Sequence, residues 1–163
     1  MSVTDQLLAN NLTYAAVFRP GDPAKSPATR VAVVACMDAR LNVYALLGLR
    51  EGEAHVIRNA GGVVTEDVIR SLVISQRLVG TREVIVIKHT DCRMLTFHDD
   101  DFKEQIRQAV GIRPPFAFEA FSNLEDAARR SIARILASPF VAHRDQLRGF
   151  VYDVASGSLR EVT

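Results

Sequence analysis

Five consecutive small or β-branched apolar residues, VAVVA at positions 31–35, run straight into CMDAR at 36–40. A continuous apolar run of this length reads as a strand covered on both faces, as in a parallel sheet packed between helices. Where that strand stops, a thiol (Cys36), a carboxylate (Asp38) and a guanidinium (Arg40) follow at alternate positions. In open α/β sheets, ligands collect at the carboxyl ends of parallel strands, so this strand end is the first candidate site. A second run, EVIVIKHTDC at 83–92, has the same design and ends in His89 and Cys92.

The rest of the chain alternates in a way that supports a parallel sheet. Residues 4–18 carry apolar positions at helical spacing behind a candidate N-cap, Thr4 or Asp5. The segment 19–29, with three prolines and a glycine, reads as loop. After the first strand come a short helix ending near Gly48 and a second strand, 54–57, that runs into the glycine pair Gly61 and Gly62. Thr65 caps the next helix, with Glu66 and Asp67 complementing its positive end, and Gly80 stops it. The third strand spans 83–87. The acidic run Asp99, Asp100, Asp101 opens a helix that stops near Gly111. Ser122 and Glu125 form a capping box for a helix to about Ala137, and GFVYDV, ASGS and LREV read as a final hairpin.

The expected fold class is therefore α/β: one domain over 1–163, with a central, mostly parallel four-stranded sheet, an antiparallel edge strand or hairpin, and flanking helices. A length of 163 residues suffices for a substantial core. A net charge of +1 offers no basic field for nucleic acid. No apolar stretch approaches the ~20 residues a membrane span needs, and MSVTDQLLANN has no signal-peptide pattern. The expected address is the cytoplasm, where two cysteines more often serve metal binding or catalysis than a disulfide.

Zinc takes thiolate and imidazole donors in a tetrahedron. Cys36 from one strand end, with His89 and Cys92 from another, supplies three and leaves a fourth position for Asp38 or for water. Water there would have its pKa lowered from ~15.7 toward ~7, giving hydroxide at neutral pH. An Arg40–Asp38 ion pair would hold the carboxylate off the metal and orient it to accept a hydrogen bond. Each residue alone also has a plainer reading: Cys36 as a small core residue, His89 as a satisfied strand-end histidine, Asp38–Arg40 as a local salt bridge. The conjunction changes the balance, because the chain's only two cysteines fall at two such strand ends, one beside a histidine.

His55, His98 and His143 lie outside this constellation and read as structural or exposed. Gly61 and Gly62 lack a phosphate-loop lysine or a spaced glycine fingerprint and read as a turn. Met94 with Phe97, and Phe116 with Phe118 and Phe121, read as core or subunit contact. Arg129 and Arg130 read as a solvated helix face.

C-M-D-A-R (36–40), R-N-A-G (58–61) and H-T-D-C (89–92), in this order on an alternating α/β chain, resemble the β-class carbonic anhydrases, most closely their short mycobacterial type. The resemblance covers nearly the whole chain. It implies a Zn2+ enzyme that reversibly hydrates CO2 to bicarbonate and a proton through zinc-bound hydroxide, built as a homodimer or a dimer of dimers. By motif position, Cys36, His89 and Cys92 correspond to the zinc ligands. Asp38 corresponds to the carboxylate that exchanges with water as fourth ligand, and Arg40 to its gating partner. In two places the chain departs from the family pattern. Arg93 stands where glycine usually follows the second cysteine, and no glutamine precedes the first cysteine motif. Competing readings are hydrolysis of carbonyl sulfide or carbon disulfide at the same site, and a zinc-bound protein without activity that serves as a binding scaffold. A cysteine phosphatase or redox protein fits less well. Arg40 lies too close to Cys36 for a phosphatase loop, and no C-x-x-C is present.

Overall fold

The computed structural model describes residues 2–19 and 26–162, so most of the proline-rich segment lies outside the described residues. Strand β1 (Val31–Cys36) runs between β2 (Ala54–Asn59) and β3 (Glu83–His89), parallel to both. β4 (Leu147–Tyr152) extends the parallel set beside β3, and β5 (Leu159–Val162) closes the edge antiparallel to β4. The sheet order is β2-β1-β3-β4-β5, the four parallel strands and antiparallel edge expected from the sequence.

The apolar run is buried on both faces because alternate residues serve two cores. Ala32 and Val34 pack with Val68, Leu72 and Ile135, which come from helices α3 (Glu66–Arg77) and α5 (Leu124–Ala137). Val33 and Ala35 pack on the other face with Leu41, Met94 and Phe121. All four are fully buried, and each of the two valines contributes roughly 1.5–3 kcal/mol of transfer free energy.

Helix termini follow the cap chemistry, in two cases one to three residues from where the sequence suggested. Helix α1 (Val3–Val17) is capped by Ser2, not Thr4 or Asp5, and Asp5 closes a reciprocal capping box with it. Helix α5 is capped by Asn123 rather than Ser122. Asn123 holds the extended backbone that an N-cap needs, and its side-chain oxygen accepts from the Asp126 N–H at 3.0 Å. Thr65 caps α3 as expected, and Gly111 ends α4 (Asp99–Val110) in the left-handed conformation. The short helix α2 (Val43–Leu47) stops at Gly48 for the same reason. β2 and β3 each run two residues beyond their expected ends, to Asn59 and His89. The aromatic expectation divides: Met94 and Phe121 are buried, whereas Phe116 is 59% exposed.

The turn after β2 sets the close approach on which the strand ends depend. Residues Ala60–Gly62 form one 3₁₀ turn, with Gly61 and Gly62 both at positive φ. A Cβ at Gly62 would stand 2.8 Å from the carbonyl carbon of Ala35, 2.9 Å from the Cys36 nitrogen and 3.1 Å from the Ile87 oxygen. All three are backbone atoms of β1 and β3 and cannot step aside. Gly62→Ala is therefore expected to lower stability by about 2–5 kcal/mol, from left-handed strain together with overpacking. Urea unfolding of parent and variant at matched metal content reads this, and a midpoint within error of the parent would count against the backbone contact.

Candidate metal centre

Because β1 and β3 pair in parallel with Ala35 opposite Ile87, both strands end at the same edge of the sheet. Cys36 is the last residue of β1 and His89 the last of β3, with Cys92 in the turn that follows. The donor atoms of Cys36, His89 and Cys92 all lie within 4.8 Å of one another, and all three residues are buried. Both cysteines are free thiols. The sequence expectation that these three residues converge is met by their positions.

The His89 ring is oriented by its own backbone. Nδ1 lies 2.9 Å from the Thr90 carbonyl oxygen, which accepts a hydrogen and so places the proton on Nδ1. That leaves Nε2 with a lone pair. Among the described residues, Nε2 is buried and has no partner in hydrogen-bond geometry. A buried polar atom without a partner costs about 1–3 kcal/mol, and here it points among two thiols. Two soft thiolate donors and one neutral imidazole at this spacing fit a tetrahedral zinc site, with the histidine fixed by a carbonyl as metal-binding histidines usually are. Only one of the two thiols is drawn toward its thiolate, at the other's expense. The Cys92 hydrogen bond, with smaller help from His89, draws the Cys36 thiol well below the usual range against burial, and Cys92 is pushed up in turn.

Asp38 stands beside this set without joining it. Its Oδ2 is 3.9 Å from His89 Nε2, beyond hydrogen-bond reach. Arg40 holds both carboxylate oxygens, with Nε donating to Oδ1 at 3.0 Å and Nη2 to Oδ2 at 2.8 Å, while the Arg40 backbone N–H donates to Oδ1 at 2.9 Å. These bonds hold the Asp38 carboxyl well below the usual carboxylate range, so it stays ionised at any working pH.

Three further residues brace the arrangement. Arg58 donates from Nε to the Cys36 carbonyl at 2.9 Å and from Nη2 to the Asp38 carbonyl at 2.6 Å, pinning the backbone on both sides of Met37. Asp91 receives Arg40 Nη1 at 2.6 Å, and its own carbonyl receives Nη2 at 3.0 Å. Lys88, buried at the end of β3, donates to the carbonyls of Gly61 and Gly62 at 3.1 and 2.8 Å. Burial pushes its amine down to about 8, with the two thiols pulling the other way. In the sequence, Arg58 stood out only as part of the R-N-A-G motif, and Asp91 and Lys88 had no task. A charged residue in the apolar run of β3, and an acid between His89 and Cys92, were the available signals. Arg93 lies exposed at the start of the 3₁₀ turn Arg93–Leu95. His98 is exposed, and His55 is partly buried with Nδ1 2.8 Å from the Ser75 hydroxyl, away from the centre.

Comparison with known proteins agrees over the whole chain. The family model described as carbonic anhydrase matches residues 31–159. The β-carbonic anhydrase 1 of Mycobacterium tuberculosis is 58% identical over 163 residues, covering 100% of this chain and 99% of that protein. A carbonic anhydrase structure from Streptococcus mutans superposes with a TM-score of 0.94 at 41% identity, covering 100% of this chain and 99% of the other. A carbon disulfide hydrolase from an Acidianus species is 30% identical over 156 residues, covering 81% of this chain and 76% of that protein. With the motif strand ends, the sheet and the full-length match in agreement, the chain belongs to the β-carbonic anhydrase family.

Proposed function

We propose that this carbonic anhydrase holds Zn2+ through Cys36, His89 and Cys92 and catalyses the reversible hydration of CO2 to bicarbonate and a proton. The observation that carries the reading is the buried, unpartnered His89 Nε2 facing two thiols beside an ionised, arginine-clamped carboxylate. Zinc bound there supplies a Lewis acid that makes water a far stronger acid than it is in bulk. The remaining tasks fall to the chain. Arg40 would hold the Asp38 carboxylate off a metal bound by the three donors. Clamped in this way, Asp38 keeps lone pairs free to accept a hydrogen bond from the attacking water and so orient it. Were the two Arg40 bonds to break, the same carboxylate would be free to reach the fourth position and close the site. Arg58 keeps the turn that carries Asp38 from sagging away from Cys36.

Replacement of Asp38 by Ala should leave one zinc per chain by elemental analysis and lower CO2 hydration by at least about tenfold near neutral pH, the lower part of what a positioned proton acceptor contributes. Stopped-flow hydration measures this. Parent-like rates would remove Asp38 from the mechanism. The similarity to a carbon disulfide hydrolase favours one second reading, hydrolysis of CS2 at the same centre. Sulfide release from CS2 faster than CO2 hydration by the same preparation would favour that reading.

Because the metal would tie two strand ends distant in sequence, its removal should destabilise the fold. Chelation should lower the melting midpoint by several degrees. Calorimetry before and after metal removal, with the metal content verified, reads the change, and an unchanged midpoint would refute a structural contribution.

We further propose a homodimer, or a dimer of dimers. Helix α1 buries none of its own residues and leaves Val3, Leu7, Leu8, Leu12 and Val17 each at least 60% exposed. Among the described residues, the Tyr14 hydroxyl links the helix to the body by donating to Glu51 at 3.2 Å. An apolar helix left in this state calls for a second copy of the chain to cover it. Leu12→Glu should shift the mass in light scattering from dimer to monomer; a monomeric parent would overturn the assignment. Among the described residues no helix is long and apolar enough to cross a membrane, and the two free thiols suit the reducing cytoplasm where we place the enzyme.

A further inference from the structure

Arg40 serves two carboxylates at once. Its Nε and Nη2 donate to the two oxygens of Asp38 at 3.0 and 2.8 Å. Its Nη1 donates to Asp91 Oδ2 at 2.6 Å, and Nη2 also donates to the Asp91 carbonyl at 3.0 Å. The guanidinium thus joins the turn after Cys36 to the turn between His89 and Cys92, the two segments that bring the three donors together. Each turn is fixed independently. Arg58 holds the first by two carbonyls. The second is tied to the end of β4, where the Thr90 N–H donates to the Tyr152 carbonyl at 2.9 Å and the Thr90 hydroxyl accepts from the Val154 N–H at 3.0 Å.

Asp91 does little for folding where it stands. Its side chain is 77% exposed, and ion pairs this open contribute about 0–1 kcal/mol. It also holds the left-handed conformation, with φ at 55°, as one of three non-glycine residues to do so among the described residues. Aspartate tolerates that region better than most side chains, yet glycine would hold it without strain. The conformation turns the carbonyl and the carboxylate of one residue toward the same guanidinium. Such a residue is explained by what it holds. With Asp91 in place, both edges of the planar fork are occupied and the group has one orientation. With the second edge free, Arg40, itself 47% exposed at the side chain, would turn on its flexible stem and give up Asp38.

We propose that Asp91 is a positioning residue of the metal centre: it fixes the Arg40 guanidinium and thereby keeps the Asp38 carboxylate from closing the metal's fourth position. The inference rests on the reading that Cys36, His89 and Cys92 hold the metal and that an unclamped Asp38 can reach it. Asp91 acts through Arg40, not on the reacting atoms. Two side-chain bonds tie Arg40 to Asp38, and the two bonds to Asp91 restrain the rotation that would break them. The balance between an open and a closed centre is then set by a residue outside the donor set. A ligand that needs the fourth position binds in proportion to the open fraction.

The test loads the full chain with Co2+, verified by metal analysis, and titrates it with sodium azide as a probe of the fourth position, read in the visible spectrum at constant pH and ionic strength. The parent should show a saturable change. Asp91→Gly removes the carboxylate and suits the positive φ, and it should weaken azide by at least about tenfold. Asp91→Asn keeps a neutral acceptor for Nη1 and should weaken azide by less. The sign discriminates, because loss of a nearby negative charge would by itself strengthen an anion. Adding Asp38→Ala to Asp91→Gly should return azide binding to that of Asp38→Ala alone, which damage to the turn would not allow. Azide binding by Asp91→Gly equal to or tighter than the parent's, no recovery in the double variant, or loss of cobalt from both Asp91 variants would each overturn the proposal. A parent that takes up no cobalt, or shows no azide response, fails before any variant is compared, so failure of the metal reading is separate from failure of the role given to Asp91.

Discussion

The in-register pairing of β1 with β3 is the constraint on which the site depends. Val31 to Ala35 lie opposite Glu83 to Ile87, so two strands separated in sequence by α2, β2 and α3 end at one level. A slip of one residue would turn every side chain to the opposite face. It would bury the wrong residues of VAVVA and move Cys36 away from His89. The two hydrophobic cores, one on each side of β1, hold this register firmly, so the convergence of sulfur and nitrogen donors is a by-product of apolar packing. The chemistry at the strand ends can then tolerate groups that do nothing for stability, such as the unpartnered imidazole nitrogen.

Around that register much of the polar frame is charge-to-backbone. Arg58 binds two carbonyls, Lys88 binds two more, and Arg40 joins Asp38 to the Asp91 backbone. Such bonds fix the path of the turns more than they add stability, because desolvation offsets much of the attraction. Gly62 belongs to the same frame. It lets the turn after β2 sit directly against the backbone of β1 and β3, where any side chain would intervene. The metal centre thus has a rigid floor made of backbone and a charged rim made of Asp38, Arg40 and Asp91. The rim is partly open to solvent, with Arg40 47% and Asp91 77% exposed at the side chain.

Family membership constrains the chemistry without choosing the substrate. A carbon disulfide hydrolase and carbonic anhydrases share this fold and substantial identity with the chain, so the scaffold serves more than one small linear carbon compound. The donor set and the clamped carboxylate are the parts that bear on hydration.

Much of the fold and the core of the site were legible in the sequence. The apolar runs marked β1 and β3, alternation with helices implied a parallel sheet, and Cys36, His89 and Cys92 stood out because strand ends are where such sheets place chemistry. Those signals are local and periodic, so a linear chain displays them. Cap positions slipped at Ser2 and Asn123, because which hydroxyl or amide caps a helix depends on backbone torsions that neighbouring residues do not dictate. The sequence alone determined the sheet, its polarity and the three donor residues. Only the tertiary structure decided that Asp38 is clamped by Arg40 beside the centre and that Arg58 and Lys88 pin its turns. Those outcomes rest on distances between segments far apart in the chain, and such distances exist only once the cores have closed.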